Sequence, residues 1–389
     1  MVVTSRASVS RISRIEGYHV GFRPEPALGN AQTFIRRRDF LLVCVVTACG
    51  KRGWGEVFNS PFAAGAFIRA KLAPLFAGRT VHDRQPLFEA MRAALAYDKR
   101  GAGRMALSAM DMALHDAAGQ VLGQSVAALL GGPLRTRVAA YASGPFMVEG
   151  EGYGRYPAEV ARYLEAGFRA VKPRAGLSPA ADGRMVAEIR ALIGEDCGLM
   201  VDINQGYTLA GALESLRRME EAGLMWVEEP LPPENLTGYR QLARTSRVAL
   251  AGGEALGSPA AFREFLEADT FAVLQPDPTV CGGFTGYRQI SALGMAYDLP
   301  VIPHSFGTIV NAMAALHLAA LEPARRGGGP ADYPYVEVDM TDNPLLALRA
   351  IPVGGDGAIG LSDAPGLDLD LDPGELEPWL GEHWSIELG

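Results

Sequence analysis

Three acidic residues, each closing a short apolar run, follow one another along the chain at a constant interval of 26 residues. That interval accommodates one strand, one helix and two short loops, so each acid is expected to end a buried parallel strand. Carboxylates gathered at one sheet edge repel one another by about 4 kcal/mol per pair at ~4 Å, unless a cation lies between them. Oxygen ligands favour a hard ion. The sequence therefore predicts a Mg²⁺ site formed by Asp202, Glu228 and Glu254.

The same alternation of strand and helix can be followed eight times after Arg135. Pairs such as Ser178-Pro179 and Ser258-Pro259 place a capping hydroxyl before a first-turn proline and so mark helix starts. Eight such units predict a (β/α)₈ barrel of the TIM type, whose active site lies at the C-terminal ends of its strands. The predicted strands lie near 138–142, 170–174, 199–204, 225–229, 248–254, 271–277, 301–305 and 335–339.

The region before Gly131-Gly132 has a different pattern, with strands first and helices afterwards. The predicted elements are antiparallel strands at 40–48 and 53–57 and helices near 62–76, 84–96 and 104–130. We therefore predict an α/β protein with an N-terminal α+β capping domain at 1–132 and a catalytic barrel at 133–360. The acidic, turn-rich tail at 361–389 is a candidate to pack on the capping domain.

Composition narrows the class of ligand. A net charge of −8 and a pI near 5.4 disfavour a nucleic-acid or anionic-membrane partner and favour a small molecule. No apolar run approaches the ~18–20 residues of a membrane helix. The four cysteines lack metal-ligand spacing and segment 1–14 lacks an apolar signal core, so a cytoplasmic protein is expected. The basic run 36–38 is expected to be a solvated strand end rather than a binding patch.

Asp277 and His304 end the sixth and seventh predicted strands. A carboxylate on a neighbouring strand end can accept the proton of one imidazole nitrogen and leave the other nitrogen as a base. His304 is therefore the candidate base, and the alternative is a hydrogen-bonded core histidine. Glu337, on the eighth strand, is a candidate donor to a developing oxyanion if it is kept protonated. Its alternative is a salt bridge at the barrel rim.

Two cations are predicted beside the acids. Lys172 and Arg174 are two residues apart on the second strand and so point the same way. They could neutralise the carboxylates, bind a substrate carboxylate or supply an acid. Adjacent Glu228 and Glu229 must face opposite sides of a strand, and the 26-residue interval favours Glu228 for the barrel interior. Glu229 is then expected to be a partner of a neighbouring strand.

Together, a carboxylate-bound cation, a neutral histidine and flanking cations suit removal of the proton α to a carboxylate. The ordered set resembles the enolase superfamily, mandelate racemase subgroup, and the resemblance extends to segments 109–116, 129–132 and 282–286. It implies a homo-oligomer that acts on a small hydroxy carboxylate. It also implies roles for the acids and the histidine: Asp202, Glu228 and Glu254 as Mg²⁺ ligands, Asp277 and His304 as the dyad, and Glu337 as the electrophilic acid.

Strand two departs from the family pattern. Members that racemise carry Lys-x-Lys there, with the second lysine as a base, whereas this chain has Lys172-Pro173-Arg174. A guanidinium stays protonated, so Arg174 is a poor proton acceptor. One-base chemistry fits better, and the resemblance implies dehydration of an aldonate or aldarate to a 2-keto-3-deoxy acid by a hydro-lyase. The runner-up is a racemase or epimerase that uses Lys172 as its second base, and a binding protein on a retired enzyme scaffold ranks last.

Substrate contacts are expected from a lid as well as from the barrel. The candidate lid loops are 18–31 and 57–65, with His19 and Arg23 as possible contacts from the first of them. The alternative is that both are ordinary surface connections. In the barrel, Asn204 is expected to share a strand face with Asp202 and to contact the substrate beside Lys172 and Arg174.

Overall fold

The N-terminal domain is built on an antiparallel sheet in this computed structural model, which describes residues 9–324 and 334–389. The first eight residues of the predicted capping domain, and of segment 1–14, lie outside the described residues. The strands are β1 (Ile12–Phe22), β2 (Leu28–Gly29), β3 (Phe34–Ile35), β4 (Arg38–Thr47) and β5 (Arg52–Val57). β4 pairs with both β1 and β5, and β2 and β3 form a separate hairpin.

Helices cover one face of this sheet. They are α1 (Pro61–Phe67), α2 (Arg84–Ala94) and α3 (Ala102–Leu122), with a π-helical turn at Ile68–Leu72 and a 3₁₀ turn at Ala73–Phe76. The short helix α4 (Val126–Leu129) follows, and its buried residues belong to the core shared with the barrel. α3 lies so close to β5 that a Cβ on Gly55 would sit 1.9 Å from the carbonyl oxygen of Ala109. The single helix predicted at 104–130 is wrong, because Gly123 adopts a left-handed backbone with φ 66° and ends α3 there.

The second domain is the predicted (β/α)₈ barrel. Its strands are β6 (Arg137–Ser143), β7 (Ala170–Lys172), β8 (Gly198–Leu199), β9 (Val201–Asp202), β10 (Val227–Glu228), β11 (Leu250–Gly252), β12 (Val273–Leu274) and β13 (Tyr335–Asp339). Its helices are α5 (Tyr156–Glu165), α6 (Pro179–Ile193), α7 (Leu209–Met219), α8 (Leu236–Thr245), α9 (Pro259–Glu267), α10 (Gly283–Ala296) and α11 (Ile309–Ala319). Ser178 and Ser258 accept the amides of Ala181 and Ala261, which confirms them as helix caps.

Parallel pairing runs in sequence order around the barrel. One ladder follows β13, β6, β7 and β8, and a second follows β9, β10, β11 and β12. A bridge between Arg174 and Asp202 joins the two ladders, because β8 and β9 are one barrel strand interrupted at Met200. The seventh barrel strand is reduced to a bridge from Val301 to Leu274. Its far end meets β13 through the Ser305 amide, which donates to a Glu337 carboxylate oxygen at 3.0 Å.

The C-terminal segment returns to both domains. β14 (Ala358–Gly360) pairs antiparallel with β6, and β15 (Leu380–Glu387) pairs antiparallel with β1. The tail therefore supplies the outer strand of the capping sheet, and its Trp384 ring packs over Gly17, where a Cβ would lie 2.2 Å from the indole. Among the described residues, no helix is both long enough and apolar enough to cross a membrane.

Candidate active site

An acidic cluster with one histidine lies at the C-terminal ends of the barrel strands. Glu228 ends β10, Glu254 follows β11 by two residues, and His304 lies just past Val301. One carboxylate oxygen of each acid and a ring nitrogen of the histidine all lie within 4.8 Å of one another. Glu228 is buried, whereas the Glu254 side chain is 24% exposed. The cluster therefore opens to solvent beside Glu254.

Asp202 lies next to this cluster but is held by a different set of contacts. Its carboxylate pairs with the Arg174 guanidinium and accepts the Asn204 backbone amide at 2.8 Å and side-chain amide at 2.9 Å. The structure thus groups Glu228 and Glu254 with His304, whereas Asp202 is paired with Arg174 of strand two. Burial raises the pKa of Asp202, and Glu228 and Glu254 add to that effect while Arg174 opposes it.

Lys172 is enclosed by acids. Its ammonium contacts both Glu228 oxygens, at 2.8 and 2.7 Å, and one Glu337 oxygen at 3.0 Å. The Glu228 contacts are hydrogen bonds, whereas the Glu337 contact is an ion pair. Burial lowers the pKa of Lys172, but the two acids more than reverse that effect, so the amine is protonated. Of the three roles predicted for this lysine, the observed contacts correspond to neutralising the cluster.

Glu337 lies in surroundings that favour its carboxylate form over the protonated acid that the sequence predicts. Burial alone would raise the pKa of Glu337, but the charges of Lys172 and His304 hold it well below its usual range. The alternative described above, a salt bridge at the barrel end, is the contact that the structure shows. A carboxylate in this state accepts hydrogen bonds and does not donate them.

The predicted dyad is present. His304 Nδ1 lies 2.7 Å from Asp277 Oδ2, and Thr279 holds the other Asp277 oxygen through its amide at 2.7 Å and its hydroxyl at 2.6 Å. His304 Nε2 faces inward, 3.0 Å from Glu254. Burial opposes charging of the ring, but Glu254 and Glu337 raise the pKa of His304 well above its ordinary value. The neighbouring acids thus favour the charged ring, whereas a cation held by the same acids would offset that effect and favour the neutral base that the sequence predicts.

Glu229 lies on strained backbone close to the acidic cluster, where burial and the neighbouring carboxylates raise its pKa. Asn204, Gln205 and Glu229 adopt positive φ values of 45°, 63° and 39°. The Gln205 side-chain amide donates to Glu229 at 2.7 Å, so Glu229 is the interstrand partner that was predicted. Positive φ at non-glycine residues costs of order 1–3 kcal/mol and is concentrated at functional sites. In this protein the positive φ values end the in-and-out alternation of side chains where the third and fourth barrel strands reach the carboxylates.

Only the later part of the predicted lid loop 18–31 lies outside a long strand. Residues 18–22 belong to β1, so the predicted loop 18–31 is wrong in its first part. The β2–β3 hairpin reaches the barrel, where Gln32 donates to the Asn204 carbonyl at 2.6 Å and Gly29 exchanges backbone hydrogen bonds with Met147. The Asn204 side-chain oxygen is buried without a protein partner. It can accept a hydroxyl, so the expectation of a substrate contact at Asn204 keeps physical support.

His19 and Arg23 are not brought to the cluster. His19 stacks on Phe62 at 4.7 Å with nearly parallel rings, on the face of the sheet that packs against α1. It alternates along β1 with Tyr18 and Val20, which belong to the core shared with the barrel. Arg23 is exposed just after β1, and no hydrogen bond or ion pair within the described residues joins it to the acids. The expected substrate contact from His19 is therefore corrected.

Several residues beside the cluster were missed from the sequence. The Gln275 amide donates to Glu228 at 2.6 Å from the neighbouring strand, a signal available in the predicted strand 271–277. Phe146 and Phe306 stack at 5.4 Å across the barrel mouth, and the Arg174 guanidinium lies 4.5 Å from the Phe146 ring centre. Arg38 is buried with its guanidinium 3.9 Å from the Phe306 ring centre. The basic run 36–38 is thus solvated at its first two residues only.

The donor set fits a divalent cation. Four buried or half-buried carboxylates face two cationic side chains: Asp202, Glu228, Glu254 and Glu337 against Lys172 and Arg174. Oxygen donors in that excess favour a hard ion such as Mg²⁺, and an imidazole nitrogen is a poor ligand for it. We therefore regard His304 as a neighbour of this candidate metal centre rather than a part of it.

The fold and the cluster together define a capped barrel enzyme with a candidate divalent-metal centre. Residues 155–375 match the family described as enolase C-terminal domain-like, and residues 21–131 match the mandelate racemase / muconate lactonizing enzyme N-terminal domain. The chain therefore belongs to the enolase superfamily, in its mandelate racemase and muconate lactonizing enzyme branch.

Three relatives illustrate the chemistry found in this branch. D-galactarolactone cycloisomerase of Agrobacterium fabrum is 31% identical over 367 residues, which cover 93% of this chain and 97% of the relative. The structure of 3,6-anhydro-D-galactonate cycloisomerase from Zobellia galactanivorans superimposes with a TM-score of 0.85 at 29% identity, covering 96% of this chain and 100% of that one. The structure of L-talarate dehydratase from Polaromonas sp. JS666, complexed with Mg and L-glucarate, superimposes with a TM-score of 0.84 at 26% identity. The match covers 97% of this chain and 99% of that one.

Proposed function

We propose that this enzyme removes the proton α to the carboxylate of a sugar acid and then eliminates the β-hydroxyl, so that an aldonate or aldarate becomes a 2-keto-3-deoxy acid. The observation that carries the proposal is the one-sided placement of proton acceptors. His304 is oriented by Asp277 with Nε2 facing the acids, whereas strand two offers only the ion-paired Arg174 and Lys172. Relatives that act on acid sugars supply the substrate class.

The cation that the carboxylates fit is part of this proposal. Asp202, Glu228 and Glu254 would hold Mg²⁺, whose charge would stabilise the negative charge that develops on the substrate carboxylate. Lys172 contacts both Glu228 and Glu337 and offsets the repulsion between these two acids. Arg174 orients Asp202, and its charge near the barrel mouth also attracts an anionic substrate.

The elimination balances in two proton movements. His304 Nε2 accepts the α-proton, and the electron pair of that C–H bond forms the double bond between the α and β carbons as the β C–O bond breaks. The departing hydroxyl takes a proton from the imidazolium and leaves as water, which returns His304 to its neutral form. The enol product then becomes the keto acid in solution. The buried dyad gives one histidine both roles.

An assay of acid sugars in D₂O tests the proposal. The purified enzyme with Mg²⁺ is incubated with a library of aldonates and aldarates, and keto product is trapped with semicarbazide. Keto acid formation, with loss of one water by mass spectrometry, is the expected result. Recovery of inverted, α-deuterated substrate without keto acid would instead establish a racemase or epimerase, which the protonated, acid-bound Lys172 disfavours.

A cycloisomerase is the second candidate, because two of the relatives above are cycloisomerases and this chain matches nearly their whole length. The same α-proton removal would then expel a ring oxygen rather than a hydroxyl. Such a product keeps the mass of its substrate. The same mass spectrum, run with sugar-acid lactones and anhydro acids, therefore distinguishes ring opening from dehydration.

Arg174→Lys should create the missing second base. The variant restores Lys-x-Lys on strand two, and a lysine can lose its proton whereas a guanidinium cannot. We expect α-proton exchange from the opposite face of the substrate to rise at least about 10²-fold above wild type, measured by deuterium incorporation in both epimers. Arg174→Met serves as the control and should show no such exchange. Absence of exchange in a folded Arg174→Lys enzyme would contradict the assignment of position 174 as the place of the missing second base.

A further inference from the structure

A buried arginine of the capping domain connects the ends of barrel strands seven and eight. The Arg38 guanidinium pairs with Asp339 at 2.7 Å, and these side chains are only 4% and 3% exposed. It also donates to the Phe306 carbonyl at 2.8 Å and covers the Phe306 ring at 3.9 Å. Phe306 follows the candidate base by two residues, and Asp339 follows Glu337 by two. One planar group thus holds both catalytic strand ends.

A buried acid of the capping sheet, Glu56, holds the residues that follow Phe306. Glu56, at the end of β5, accepts the Thr308 amide at 3.0 Å, the Thr308 hydroxyl at 2.6 Å and the Asn311 amide at 3.0 Å. Gly307 lies so close that a Cβ there would be 2.1 Å from a Glu56 oxygen. Asn343 adds a hydrogen bond to the Gly307 carbonyl at 2.8 Å. Segment 306–308 is therefore fixed from the capping domain.

These contacts take the place of a sheet ladder. On its strand-six side, the segment is held by backbone hydrogen bonds from Ile302 to Leu274 and from His304 to Pro276. On its β13 side, no strand pairing is present within residues 9–324 and 334–389. His304 Nε2 and Glu337 Oε2 face each other across that gap at 4.0 Å. Their separation therefore depends on what bridges the two strand ends.

We propose that Arg38 is a positioning residue for the reaction: it bridges strands seven and eight and so fixes His304 against Glu337 and the bound substrate. The inference rests on the proposed function for its catalytic consequence. Arg38 contacts neither the candidate metal ligands nor the cluster around Lys172. Its guanidinium meets a carboxylate and a carbonyl at once while stacking on an aromatic ring, which a lysine ammonium cannot reproduce.

Arg38→Lys tests this proposal, with Arg37→Met as the matched control. Arg37 is the preceding residue and forms a partly exposed pair with Asp39, its own side chain being 52% exposed. We expect Arg38→Lys to lower kcat about 10²-fold, because a displacement near 1 Å at the base costs that much, while KM and Mg²⁺ affinity stay within about threefold. Arg37→Met should leave all three unchanged. Titration calorimetry measures the metal affinity.

Amide hydrogen exchange of segment 304–308 gives a readout that needs no substrate. Faster exchange of the Ser305 and Thr308 amides in Arg38→Lys, with slow exchange kept in Arg37→Met, is the expected result. Unchanged exchange, or kcat within about twofold of wild type, overturns the proposal. If amide exchange is faster in Arg38→Lys but the wild-type enzyme turns over no acid sugar, the bridging role of Arg38 stands and only the proposed function is contradicted. Should Arg38→Lys not fold, Asp339→Asn removes the charge partner of Arg38 and carries the same expectations for amide exchange and kcat.

Discussion

His304→Asn should abolish α-proton exchange and product formation, lowering both by about 10²–10⁴-fold, the usual contribution of a positioned base. Asparagine can still donate a hydrogen bond to Asp277 through its side-chain amide, but it has no group that takes a proton near neutral pH. Mg²⁺ affinity should be largely kept, because oxygen donors and not the imidazole suit that ion. Deuterium exchange and titration calorimetry on the same preparation measure the two quantities.

His82→Asn is a suitable control for that variant, because His82 is an exposed histidine far along the chain from the barrel strands. It should retain full activity. Exchange that persists in His304→Asn would mean that another group takes the proton. If metal affinity and activity fell equally, the imidazole would itself be a metal ligand. Its ring nitrogen lies within 4.8 Å of the two glutamate oxygens, which is close enough for that role.

Glu228→Gln should weaken Mg²⁺ binding by at least about 10²-fold and lower turnover in parallel, because an amide is a far poorer ligand than a carboxylate for a hard cation. The same change removes one of the two acids that surround Lys172, although Glu337 remains in contact with it. Breaking a buried ion pair costs about 3–5 kcal/mol at most, and the remaining partner reduces that loss. Calorimetric metal titration and thermal unfolding separate the two effects.

Glu267→Gln provides the comparison for Glu228→Gln, since Glu267 forms an exposed pair with Arg263 on α9. Such surface pairs contribute about 0–1 kcal/mol, so metal affinity and stability should both stay near wild type. If the Glu228 variant kept its dependence on metal concentration, this residue would not be a ligand. The assignment of the cluster would then have to shift to Glu254 and Asp202.

The barrel could be predicted from the sequence because its information is local and periodic. Each acid follows an apolar run by a fixed number of residues, and caps such as Ser178 and Ser258 announce the intervening helices. The dyad followed from the same logic, since Asp277 and His304 end consecutive strands. The packing of the tail on the capping domain could be suggested but not located, because β15 lies hundreds of residues from its partner β1.

What could not be predicted depends on contacts between distant parts of the chain. β1 carries the buried polar residues Glu16 and His19 among its apolar ones, so its alternation does not distinguish it from a loop. Arg38 and Asp339 are separated by 301 positions, and nothing local marks Arg38 as different from its exposed neighbours. The pairing of Arg174 with Asp202 likewise arises only when strands two and three meet.

The placement of β15 at the edge of β1 has a consequence for biosynthesis. The capping sheet stays one strand short until residues 380–387 have left the ribosome, by which time the whole barrel has been made. During that interval the backbone groups along one edge of β1 have no partner, and a bare edge invites pairing with other chains. Vectorial synthesis thus leaves β1 open to pairing with other chains until the final strand covers it.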